Sequence, residues 1–192
     1  LLNIASGFSK ENDDPIAVQR LHMEIEAGRL GYQDRNAFLA DPSHADIPVD
    51  WLLSEEHASD LRELINPEIA MTELPPVSDP RHEDTVYISV VDKDRNMCSF
   101  INTLFSAFGS CQLTPNSGVM LQNRGQGFVI NKNHPNCIAP SKRPLHTIIP
   151  GMMVKNNRAE MSFGVMGGHY QAFGHMHFLS KHLDFGLDLQ EA

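Results

Sequence analysis

The spacing of hydrophobic positions changes once along the chain, near residue 84. Before that point the apolar residues recur at helical spacing; after it they gather in short β-branched and aromatic runs. In "DDPIAVQRLHMEIEAGRL", Asp14 is placed to cap a helix and Pro15 to open it. Ile16, Leu21, Ile25 and Leu30 then form an apolar stripe, blurred by Met23. "DPSHADIPVDWLL" is broken by two prolines and reads as loop or short turns. "SEEHASDLRELI" predicts a second helix, with Ser54 as cap, Glu55 and Glu56 in the first turn, and Leu61, Leu64 and Ile65 on one face. "NPEIAMTELPPVSDPRHED" carries four prolines and several acidic residues, the composition of an exposed, mobile linker.

From residue 85 onward, "TVYISVVD" and "MCSFINTLF" flank a polar turn, Lys93 to Asn96, and predict a β-hairpin. "GSCQLTPNSGVMLQNRGQGFVI" is dominated by loop formers. "HTIIPGMMVKNNRAEMSFGVMGG" predicts a second hairpin that turns at Asn156-Asn157. "HYQAFGHMHFLSKHLDFGLDLQEA" returns to helix, interrupted by Gly174 and Gly186. Helices, then hairpins, then a helix define an α+β class with mostly antiparallel strands.

Composition narrows the function. The 192 residues are 41% hydrophobic and 20% charged, enough for one sizeable core. A net charge of −9 argues against binding to nucleic-acid phosphates, and no apolar run reaches membrane-spanning length. Cys98, Cys111 and Cys137 are odd in number and form no CxxC, so they read as small buried thiols. The chain starts without Met or a signal peptide and stops within a helical pattern, which predicts a piece of a longer precursor and leaves the compartment open.

Thr85 carries the candidate chemistry. A threonine hydroxyl is a weak nucleophile unless a base takes its proton. A threonine that is the first residue of a chain has such a base in its own α-amine, which titrates near ~7.7–8. Thr85 follows an acidic linker and heads a strand, the arrangement that self-cleavage of the Asp84–Thr85 bond needs. A threonine at a strand start is also an ordinary structural residue, and spacing alone does not choose between the two.

The motifs choose. "DTVYISVVDKDRN", "NTLFSAFGS", "NSGVMLQN", "APSKRPLHTIIPGMMVKN", "FGVMGG" and "LDFGLDLQEA" follow one another over about 110 residues. In order and spacing they resemble the small subunit of the γ-glutamyltranspeptidase family, N-terminal-nucleophile hydrolases that cut themselves before a threonine. The helical segment before them resembles the end of the large subunit. The resemblance implies two regions, 1–84 and a truncated 85–192, within an αββα sandwich of antiparallel strands flanked by helices. It implies Thr85 as nucleophile, Asp84–Thr85 as the bond cut, and Thr103 as the hydroxyl that orients the nucleophile. Gly167 and Gly168 match the glycine pair whose N–H groups form the oxyanion hole. Asn123, Arg124, His146 and Thr147 fall on substrate-binding positions.

Three glutamate-recognition segments depart from the pattern of glutamate-binding relatives. Gln126 and Gly127 stand where an Asp-Asp pair is usual, His146 and Thr147 where two serines are usual, and Phe105 where an asparagine is usual. The upstream arginine that holds the substrate carboxylate in relatives lies outside this sequence. The resemblance therefore points to the transpeptidase-like or acylase-like branch, acting by hydrolysis of γ-glutamyl or related amides. It implies no cofactor and no metal. The expected partners are a small-molecule amide, the rest of the same precursor and a second copy in a larger oligomer. An unprocessed, inactive member serving as a binding module is the rival expectation. His169, His175, His177 and His182 read as surface or capped histidines rather than metal ligands. Arg124 reads either as a carboxylate clamp or as a structural ion pair, and "DKDRN" as a turn rather than a calcium loop.

Overall fold

The computed structural model describes residues 1–8, 14–73 and 85–192. Its elements are α1 (Leu2–Ala5), α2 (Val18–Phe38), α3 (Val49–Leu52), α4 (Glu55–Glu63), β1 (Thr85–Val91), β2 (Met97–Thr103), β3 (Gly151–Lys155), β4 (Arg158–Phe163) and α5 (Gln171–Leu179). Two compact units are present. One holds Leu1–Ser78, Val129–Arg143 and Met176–Ala192; the other holds Asp79–Phe128 and Pro144–His175. Most of the linker predicted over 66–84 lies outside the described residues, which resume at Thr85. Among the described residues no helix is long and apolar enough to cross a membrane.

In the first unit, α2 starts three residues later than expected. Asp14 Oδ1 accepts from the Ile16 N–H at 3.0 Å, closing a turn over Pro15, and the helix begins at Val18 with no side-chain cap. The predicted stripe is also corrected. Ile16 lies before the helix and is exposed and Ile25 is half exposed; Leu30 is buried as expected, and Arg20, Glu24 and Ala27 share its buried face. Polar residues can occupy that face because each finds a partner. Glu24 Oε1 accepts from Lys181 Nζ at 2.9 Å and from Arg20 Nε at 2.8 Å, and Glu24 Oε2 pairs with His177 Nδ1 at 3.0 Å. Ile4, Ala5, Ala58, Ile65, Met176 and Leu179 complete the apolar core. Helix α4 is capped as expected: Ser54 Oγ accepts from the His57 N–H at 3.1 Å. Leu64, expected on the buried face, caps the end of the helix and is exposed, while Ile65 just beyond it is buried as expected.

The second unit is built from two antiparallel hairpins, β1–β2 and β3–β4. The second turns at Asn156-Asn157, both left-handed (φ 50° and 62°), the geometry of a two-residue hairpin loop. Its first strand begins at Gly151, so "HTIIP" is not strand. Helix α5 runs unbroken through Gly174, contrary to expectation. A Cβ there would come within 2.7 Å of Tyr170 and 2.9 Å of Val165, so the glycine permits close packing instead of ending the helix. A wider turn at Ser180–Asp184 follows, and Gly186 (φ 71°) ends the segment as expected. Cys98 and Cys111 are exposed and Cys137 partly so; none is the buried thiol expected.

Burial pushes the Glu24 carboxyl up, but hydrogen bonds from His177, Lys181 and Arg20 outweigh it and hold it at about 2, below its ordinary 4.5. A depressed carboxyl contributes stability above its ordinary value and loses it as pH falls through the folded value. Thermal melts followed by circular dichroism should therefore show the midpoint dropping between pH 4.5 and about 2. Glu24→Gln should melt lower at pH 7 and flatten that drop; an unchanged acid profile would contradict the assignment.

Candidate active site

Thr85 is the first residue of β1 and stands directly opposite Thr103, the last of β2. The turn between the strands sets that register. Asp92 Oδ1 accepts from the N–H groups of Asp94 (2.9 Å) and Asn96 (2.8 Å), Oδ2 accepts from the Asn96 amide (2.8 Å), and Arg95 takes the left-handed position. "DKDRN" is thus a hairpin turn whose Asp92 carboxylate is occupied by two backbone N–H groups and the Asn96 side-chain amide. With the register fixed, Thr85, Tyr87 and Ser89 share one face with Ser99, Ile101 and Thr103. Thr85 Oγ1 donates to Thr103 Oγ1 at 3.3 Å, and the Tyr87 and Ser99 hydroxyls pair at 3.2 Å.

Thr103 is itself held. The Phe105 N–H donates to Thr103 Oγ1 at 3.0 Å. Phe105 adopts φ 79°, unusual for a bulky residue, so this bond is made by a backbone bent out of its preferred region. Its ring is only 7% exposed. The Arg124 guanidinium lies over the ring, 4.7 Å from its centre, and His169 meets it edge-on at 6.3 Å.

Arg124 thus touches two of the positions that depart from the glutamate-binding pattern, Phe105 and Thr147. Arg124 is 5% exposed and donates from Nη1 to Thr147 Oγ1 at 2.9 Å. His146 is exposed beside Thr147, and its Nδ1 accepts from the Ile148 N–H at 3.2 Å. Partial burial, and then the positive charge of Arg124, hold His146 below its ordinary 6.5. Asn123 Oδ1 accepts from the Ser106 N–H at 3.0 Å, tying the loop after Thr103 to the turn at Arg124–Gly127. Asn123 thus braces the site from within the fold. Gln126 is exposed on that turn.

Gly167 (φ 125°) and Gly168 (φ 50°) open a short 3-10 turn that leads into α5. The φ of Gly167 is one a side chain rarely takes, and N–H groups at the start of such a turn have no acceptor within it. Among the described residues neither glycine hydrogen-bonds either threonine. Their segment leaves β4 at Gly164, where a Cβ would collide with Tyr87 at 2.4 Å, so it passes close to the ring two residues from Thr85. Asp84 lies outside the described residues.

The histidines of the last helix do not converge, and among the described residues no group of three metal-binding side chains forms. His177 pairs with Glu24, and His182 Nδ1 with the Leu187 carbonyl at 2.8 Å. His175, expected at the surface or capped, is instead buried against Phe163, ring centres 4.9 Å apart, and burial lowers its pKa.

All 192 residues match the family model described as gamma-glutamyltranspeptidase. The chain belongs to the γ-glutamyltranspeptidase family. It is 35% identical over 191 residues to the glutathione hydrolase-like YwrD proenzyme of Bacillus subtilis, covering the whole chain and 36% of that protein. It is 32% identical to an oxamate amidohydrolase proenzyme of Klebsiella pneumoniae, covering 91% of the chain and 32% of the relative. Its fold is similar to the crystal structure of cephalosporin acylase from Bacillus halodurans, with TM-score 0.85, 39% identity, and coverage of 97% of this chain and 33% of that one. The γ-glutamyltranspeptidase of Pseudomonas nitroreducens superimposes over 55% of this chain and 59% of its own, with TM-score 0.51 and 28% identity. The expected fold class, part of an αββα N-terminal-nucleophile hydrolase sandwich, is that of these family structures. The chain spans about a third of the length of the curated relatives it matches.

The Arg124–His146 arrangement sets a titration. In a proton NMR titration His146 should have a midpoint below 6.5. Arg124→Met should raise it, because a positive neighbour disfavours the imidazolium. A midpoint that stays put or falls in the variant would contradict the coupling.

Proposed function

We propose that this chain forms the heart of an N-terminal-nucleophile amidohydrolase, with residues 1–84 closing the large-subunit region and 85–192 opening the small-subunit region. The contact that carries the reading is the hydroxyl pair of Thr85 and Thr103, made by the first residue of β1. Hydrolysis of the Asp84–Thr85 peptide bond gives Thr85 a free α-amine. That amine takes the Oγ1 proton as Oγ1 attacks the substrate carbonyl, and Thr103 holds Oγ1 on the attacking line. The N–H groups of Gly167 and Gly168 receive the oxyanion, a contribution of about 3–4 kcal/mol per donor in comparable sites. The leaving amine takes the proton from the α-amine, and water then releases the acyl group.

The substrate class follows from the altered positions. Buried Arg124, the Phe105 ring, Thr147 and neutral-leaning His146 stand where relatives recognise a glutamyl ammonium and carboxylate. A cation at this place weakens the hold on a glutamyl ammonium, so among γ-glutamyl and related acyl amides it ranks those without an α-ammonium first. The proposed reaction is hydrolysis of γ-glutamyl or related acyl amides, with water as acceptor. Family members named glutathione hydrolase, acylase and oxamate amidohydrolase support an amide substrate.

The test uses the full-length precursor and a panel of chromogenic γ-glutamyl and simple acyl amides. Turnover should rise with pH through one ionisation near ~7.7–8, that of the α-amine. Thr103→Val should lower kcat about 10²-fold or more with little change in KM, since it disturbs the attacking hydroxyl rather than binding. Full activity in Thr85→Ala would overturn the mechanism.

A further inference from the structure

The first compact unit contains chain from both sides of the bond proposed to break. Leu1–Ser78 precedes Thr85; Val129–Arg143 and Met176–Ala192 follow it. What joins them is charge as well as apolar surface. Glu24, 1% exposed, receives Lys181 Nζ at 2.9 Å and Ser180 Oγ at 3.1 Å, and pairs with His177 at 3.0 Å. Lys181 is itself only 2% exposed. Arg20 reaches across to Ser180 and to Asp184 Oδ2 at 3.2 Å, and its guanidinium lies 5.4 Å from the centre of the Phe185 ring. A second cluster does the same elsewhere in the unit. Buried Asp41 accepts from Arg143 three times, from Nη2 at 2.8 Å, from the backbone N–H at 2.9 Å and from Nε at 3.2 Å.

Resting on the reading that Asp84–Thr85 is cut, we propose that these two clusters are the clamp that keeps the cleavage products together, with Glu24 as its central acceptor. The surface on the N-terminal segment is the Arg20–Glu24 ridge of α2. Its partner is the Lys181, His177 and Asp184 face of the C-terminal segment. The covalent link between the segments can then be lost without exposing the core. A buried pair also serves this role selectively: a segment that lacks the lysine leaves Glu24 charged, buried and short of a partner.

The test separates the clamp from self-cleavage by cutting the chain artificially. A protease site is placed within residues 74–84 of the full-length protein carrying Thr85→Ala, and the nicked product is run on gel filtration in rising urea. Nicked protein should elute as one species that shows two bands on a denaturing gel. Lys181→Met should speed separation of the fragments by about 10-fold or more, because Glu24 keeps Arg20 and His177 but loses its buried ammonium partner from the C-terminal segment. Lys155→Met, an exposed lysine at the end of β3, should change nothing. Where Lys181→Met fails to fold even uncut, Asp184→Asn, at the more exposed edge of the cluster, should give a smaller increase. In Glu24→Met/Lys181→Met, which removes both charges, much of the retention should return. Nicked parent protein that separates at once, or variants that separate no faster than the parent, would overturn the clamp whether or not the natural chain cuts itself.

Discussion

The site depends on the register of one hairpin. Strand side chains alternate between faces, so a slip of one residue between β1 and β2 would turn Thr85 and Thr103 to opposite sides. The slip is blocked at the far end, where Asp92 collects the donors of Asp94 and Asn96 and Arg95 takes the left-handed position. A turn seven residues from Thr85 thus fixes which hydroxyl it meets. The same alternation sends Val86, Ile88, Val90 and Phe100 to the other face, where they are exposed. A two-stranded hairpin gains independent stability only when such a face is packed, consistent with a chain that spans about a third of its relatives.

Around that pair, Phe105, Arg124 and Thr147 form a packed group. Phe105 is the hinge of it: its backbone N–H fixes Thr103, and its ring carries Arg124 and meets His169. Phe105 thus joins Arg124 to Thr103, the hydroxyl partner of Thr85. A change at Arg124 acts on the Phe105 ring and through it on the backbone N–H that holds the Thr103 hydroxyl.

Much of this was legible in the sequence, for physical reasons. Both hairpins declared themselves through β-branched runs and turn residues with left-handed preference, and Ser54 through its capping geometry. The threonine pair followed from family motifs, since strand spacing alone fits any structural threonine. What escaped detection was long-range pairing. Nothing local in α2 shows that Arg20 and Glu24 will be buried, because Ser180, Lys181 and Asp184, which meet them, lie more than 150 residues on. Gly174 read as a helix breaker, because its role is to admit Tyr170 and Val165. Phe105 read only as a missing asparagine; its left-handed backbone and the cation above its ring required coordinates.

The most direct measurement is intact mass of the freshly purified full-length precursor over time, beside Thr85→Ala and Thr85→Ser. The account predicts two fragments in the parent protein whose masses meet between Asp84 and Thr85, slower formation of the same fragments in Thr85→Ser, and none in Thr85→Ala. Cleavage at another bond, or a single intact mass in all three, would contradict the claim that Thr85 frees its own amine and uses it as the base.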